Sequence, residues 1–124
     1  MKKSVLALAA AVEAATGIIV LAYPALVVRL LFGAEIAGAC VSISRLAGVA
    51  LIGLAVACWP GADTRRAPYG MITYNLLVLL LLIYVGVRGQ QIGVLLWPAV
   101  VAHGILSALL TRAWVKQRNS LAKN

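Results

Sequence analysis

The chain has 124 residues, 64% of them hydrophobic and only 11% charged, with a mean hydropathy of +1.03. So little polar surface cannot coat a water-soluble domain of this size, and the composition makes the bilayer the solvent. Eleven Lys and Arg against three Asp and Glu give a net charge of +8 and a pI near 10.2, but no polar domain exists to present that charge to nucleic acid, so it reads as a topology signal.

The first apolar run covers residues 5–28. Its opening, Met1-Lys2-Lys3 followed by an alanine-rich stretch to Ala15, imitates a secretory signal, but the apolar character continues through Gly17-Ile18-Ile19-Val20-Leu21 and outlasts a signal core, so an uncleaved span is expected. Gly33-Ala34-Glu35 forms a turn, and residues 36–59 make the second span. Pro60-Gly61-Ala62-Asp63 leads to a third span over 69–87, and Arg88-Gly89-Gln90-Gln91 to a fourth over 92–111. Each run is near the length of about 20 residues that a helix needs to cross roughly 30 Å of hydrocarbon. Backbone groups in lipid must be satisfied within their own segment, which leaves helices as the structure. Short connections between them predict an all-α integral membrane protein, one domain over 1–124, built as an up-down-up-down four-transmembrane-helix bundle.

Eight basic residues, Lys2, Lys3, Arg65, Arg66, Arg112, Lys116, Arg118 and Lys123, flank one side of that bundle, whereas Arg29 and Arg88 flank the other. The positive-inside rule then places both termini and the middle loop in the cytoplasm, an N-in/C-in arrangement. The basic tail is suited to anionic headgroups of the bilayer, the one partner the composition requires. Tyr23, Trp59, Tyr69, Trp97 and Trp114 fall near span ends, as interface anchors do. Pro24 and Pro98 each are expected to remove a helical hydrogen bond and bend a span. Cys40 and Cys58 lie eighteen residues apart on one span, roughly 27 Å along a helix, too far for a bridge, and both read as small buried apolar residues.

Polar residues gather at one depth. Counting about 1.5 Å per residue from the inner interface puts Glu13 roughly 12 Å deep, Asn75 about 9 Å, His103 about 13 Å and Tyr74 slightly shallower. Around Glu13, the residues Ala9, Ala10, Thr16 and Gly17 are small, so that stripe is expected to face another helix. Arg45 is the second anomaly, about 21 Å from the inner side, where its stem can snorkel outward or reach toward Glu13. Near it, Gly38 with Ser42, Ser44 with Gly48, and Gly53 with Ala57 form small-xxx-small pairs that predict a packing helix, and Tyr84 is expected at a similar level. Two readings of the layer stand. Glu13, His103, Asn75, Tyr74 and Arg45 form either a ligand-binding or proton-relay site, or an interhelical hydrogen-bond latch. No cofactor motif is present, and a lone imidazole cannot make a closed metal site. Ser107, at i+4 from His103, reads as a serine bonded to its own backbone rather than as a nucleophile.

The stretch from Glu13 to Leu54 contains Gly17, Pro24 ahead of Leu30-Leu31-Phe32-Gly33, and Arg45-Leu46-Ala47-Gly48. It resembles the DoxX-like group of small four-helix bacterial membrane proteins. That resemblance, which covers about a third of the chain, implies a four-helix domain of the bacterial inner membrane, in some members an accessory subunit of a membrane redox complex. It implies no catalytic residues. The expected function is therefore helix–helix association, as an accessory or assembly subunit of a membrane complex or as a homo-oligomer. A small proton-linked transporter or ligand-binding membrane protein using the Glu13, His103 and Asn75 layer is the alternative, and an intramembrane enzyme ranks behind both.

Overall fold

The computed structural model describes residues 3–61, 66–89 and 92–121. Met1, Lys2, Ala62, Asp63, Arg65, Gln90, Gln91 and Lys123, named above for topology and turns, lie outside them. Five helices follow in order: α1 (Lys3–Ala22), α2 (Pro24–Phe32), α3 (Ala39–Ala57), α4 (Ala67–Arg88) and α5 (Leu96–Leu121). There is no strand among the described residues. Four of the helices, all but α2, are long and apolar enough to cross a membrane. Leu46, Val56 and Val87 are among many large apolar side chains left exposed, which in water would be a continuous aggregation surface and in lipid is ordinary.

The first apolar run is two helices rather than one. Tyr23 adopts φ −130° and ψ 57° between α1 and α2, because the ring of Pro24 disfavours the helical conformation in the residue before it and offers no N–H. The chain re-enters a helix at once, with Val27 N–H donating to the Tyr23 carbonyl at 3.1 Å. Pro98 behaves differently. The last helix begins at Leu96 instead of residue 92, so Pro98 falls in its first turn, where the missing N–H would have had no partner within the helix. That helix also runs ten residues beyond the expected end at Thr111, since Arg112 to Leu121 contains neither Gly nor Pro to stop it.

A clasp explains the late start of α5. The C-terminus of α2 leaves carbonyls without helical partners. Gly33, at φ 65°, caps the Arg29 carbonyl; Gly93 N–H then donates to the Leu31 carbonyl at 3.0 Å and Leu95 N–H to the Leu30 carbonyl at 2.8 Å. Residues 92–95 are thus used to finish a helix more than sixty positions away. Gly93 is required there, because a Cβ at that position would run into the carbonyl group of Leu30.

Packing follows two close pairs, α1 with α3 and α4 with α5, joined by less extensive contacts. At the first crossing Gly17 and Gly48 bring the two backbones together: a Cβ on either would lie 2.8 Å from the carbonyl oxygen of the other. Gly86 makes room in the second pair for the Trp97 ring and Leu96. The small-residue pairs expected along α3 are only partly used. Gly48 is buried, but a Cβ on Gly38 or Gly53 would meet nothing within 4 Å, so those positions do not pack within this chain. One apolar cluster joins all four long helices: Leu6, Ala9 and Ala10 from α1, Ala55 and the adjoining Cys58, Ala67 and Met71 from α4, and Leu106 and Leu110 from α5. Cys58 is buried there as expected, whereas Cys40, in the first turn of α3, is exposed.

Candidate functional site

Just beyond that cluster the bundle contains its polar layer. Glu13 lies one turn along α1 from Ala9 and Ala10 and is 1% exposed; Asn75, one turn along α4 from Met71, is fully buried. His103 on α5 and Tyr74 on α4 are half-buried. Fixed helical rise sets this coincidence of level, and the small side chains of Ala9, Ala10 and Gly17, all buried, let the other helices close on the Glu13 stripe. Thr16, expected on that stripe, is exposed instead.

The hydrogen bonds assign roles to the atoms. Asn75 Nδ2 donates to the Met71 carbonyl oxygen at 3.0 Å. A carbonyl only accepts, so this bond fixes the amide with Oδ1 on its other side. Oδ1 lies 2.9 Å from His103 Nδ1, and since Oδ1 also only accepts, Nδ1 must carry a proton. In the neutral imidazole the lone pair is therefore on Nε2. Tyr74 and Asn75 are the hydrogen-bonding side chains beside the Glu13 carboxyl group. Tyr74 also sets its ring edge to face against His103, with centroids 6.2 Å apart and planes at 71°. One Glu13 oxygen, Oε1, is buried without a hydrogen-bond partner among the described residues, as is the Ser107 hydroxyl one turn along α5 from His103. Ser107 thus does not make the backbone hydrogen bond expected of it.

Four of the five candidate side chains are brought together, Glu13, Tyr74, Asn75 and His103. The fifth is not. Arg45 is exposed on α3 and has no hydrogen bond or ion pair among the described residues; the face of α3 that meets α1 is the one carrying Gly48. Tyr84 is also exposed and stacks under the Arg88 guanidinium, 5.2 Å from its ring centroid. Met71 was not legible as a participant, because it acts through its backbone carbonyl; the only signal in the sequence is its position four residues before a buried asparagine. No group of three or more metal-ligating side chains occurs among the described residues.

At the other end of α5, Trp114 packs edge-on against Tyr69 at 5.5 Å between centroids, and the Arg118 guanidinium lies 4.9 Å over the Trp114 ring. Aromatic rings beside cations mark the boundary where a span meets headgroups. Comparison with known proteins returned no matching family model, no matching curated protein and no matching solved structure.

Proposed function

We propose that the protein is a multi-pass protein of the bacterial inner membrane, up-down-up-down with both termini cytoplasmic, that works by helix–helix association. Its role is that of an accessory or assembly subunit of a membrane complex, or of a homo-oligomer. The N-in/C-in orientation is supported by the concentration of basic residues at the start of α1, the α3–α4 connection and the end of α5, and by the Tyr69, Trp114 and Arg118 stack at that end.

The observation that carries the functional reading is the outer face of α3. Ser42, Arg45, Leu46, Val49, Gly53 and Val56 are all exposed and recur at helical spacing along one stripe. Arg45 sits six residues into the helix, about 9 Å from its start, at a level where a lipid-facing guanidinium is costly unless it snorkels or meets acceptors. Gly53 has open space where a Cβ would be, and such a position lets a second helix come close. A membrane helix that offers acceptors to Arg45 and a flat surface to Gly53 would cover the whole stripe.

Native mass spectrometry of the protein released from membranes in gentle detergent tests this. A stoichiometric partner or a defined homo-oligomer, lost in Arg45→Leu and in Gly53→Ile, is expected. A lone 13.0 kDa chain from the unaltered protein under the same conditions contradicts it.

A further inference from the structure

The association surface on α3 makes no use of Glu13, the one acidic side chain buried among the described residues. Glu13 and Asn75 together expose almost no surface, so nothing as large as an organic ligand touches the carboxyl group. The groups that face it are neutral hydrogen-bonding ones, Tyr74 and Asn75 from α4 with His103 from α5 behind them. From α3 the ionisable side chains are Cys40 and Arg45, both exposed, with Cys58 at its end in the apolar cluster; Arg29 of α2 is paired with Glu35 at 3.8 Å. No ion pair involves Glu13 among the described residues. A carboxylate there has no counter-charge among the described residues, and the cation small enough to supply one is the proton.

The surrounding hydrogen bonds accommodate both states. Glu13 Oε1 is buried with no partner among the described residues, and as a carboxylate Glu13 can accept from the Tyr74 hydroxyl or the Asn75 amide beside it. As an acid, it donates to Tyr74 Oη, whose own hydrogen turns away, since a phenol is both donor and acceptor. Asn75 cannot follow, being fixed by the Met71 carbonyl, so rotation of one hydroxyl is the only rearrangement needed. His103, half-buried and held with Nδ1–H toward Asn75, presents the Nε2 lone pair as the accessible proton acceptor of the layer.

We propose that Glu13 is a reversible proton-binding site inside the bundle, filled and emptied by way of His103 and Tyr74. The proton taken up at His103 Nε2 leaves that nitrogen for Tyr74 Oη as the hydroxyl proton of Tyr74, whose ring packs against His103, passes to the Glu13 carboxylate. One N–H and one O–H bond break, two O–H bonds form, His103 returns to neutral, Tyr74 remains a phenol, and Glu13 becomes a neutral acid; no other reactant is consumed.

Infrared difference spectroscopy in lipid bilayers between acidic and alkaline buffers reads this directly. The chain has three acidic side chains, Glu13, Glu35 and Asp63, so carbon-13 labelling of glutamate leaves two candidates, and Glu35 is exposed. The expected result is a buried-acid carbonyl band that shifts with the label, converts to carboxylate as pH rises, and is missing in Glu13→Gln. In Tyr74→Phe and His103→Ala the same band should titrate but re-equilibrate at least roughly tenfold more slowly after a pH jump. A labelled Glu13 signal that stays acid, or stays carboxylate, across the whole range in which far-ultraviolet circular dichroism shows an intact fold overturns the site. Unchanged exchange rates in both variants overturn the route. The isotope experiment uses the unaltered chain, so a folding defect in a variant cannot mask the answer.

Discussion

His103 donates its Nδ1 proton to Asn75 Oδ1 across 2.9 Å, and it has to, because Asn75 has already committed its amide nitrogen to the Met71 carbonyl. This contact ties α4 to α5, and Tyr74 and the same asparagine stand beside the buried carboxyl group of Glu13 on α1. Three helices that are apolar on every side, and that would otherwise slide and rotate past one another, therefore share one register.

Asn75→Leu removes the bonds to Met71 and His103 and leaves buried polar atoms behind. Interhelical bonds in membranes average about 0.6 kcal/mol and reach about 1.7, so the expected loss is about 1–2 kcal/mol in a denaturant titration in detergent. An unchanged midpoint would mean that the amide is not holding the helices together.

The glycines separate into classes with opposite expectations. Gly93→Ala pushes a methyl group into the Leu30 carbonyl and should break the clasp, at about 1–3 kcal/mol or more. Gly53→Ala places its methyl group in open space on a helix and should raise monomer stability by up to about 1 kcal/mol. Thermal melts of the two variants beside the unaltered protein check the signs.

Gly17→Ala and Gly48→Ala strike the same crossing from opposite sides, each new Cβ meeting the partner backbone at 2.8 Å. Each alone should cost about 1–3 kcal/mol. Together they should cost less than the sum, since the first substitution already separates α1 from α3. A double-mutant cycle giving strict additivity would place the two glycines at independent contacts.

Much of the layer was legible because it depends on quantities that sequence fixes tightly. Helical rise is constant, so counting from span ends placed Glu13, Asn75, Tyr74 and His103 within a turn of one another before any packing was known. Rotation about the helix axis was not legible in the same way. A helix apolar on all sides carries no stripe to mark its buried face, and so Arg45, Gly38 and Gly53 were open to being inward when they are exposed. The small neighbours Ala9, Ala10 and Gly17 did mark the inward face of α1 around Glu13. Pro24 announced the break after Tyr23, but the capping of α2 by Gly93 and Leu95 joins segments too far apart in sequence to be read from either one.

Thiol chemistry tests orientation. Cys40 is exposed near the start of α3 and Cys58 is buried at its other end. In intact spheroplasts a membrane-impermeant maleimide should modify Cys40 and spare Cys58 until the protein is denatured. Labelling of Cys40 only in inside-out vesicles would reverse the proposed N-in/C-in arrangement.

The joining of α4 and α5 through Asn75 and His103 holds the polar layer together, and nitrogen-15 magnetic resonance of His103 in lipid bilayers examines that contact at the atom. At a pH where the imidazole is neutral, the protein should show a protonated Nδ1 correlated with the Asn75 side chain and an unprotonated Nε2. A proton on Nε2 instead, or no correlation with Asn75, would mean that the layer does not close as described.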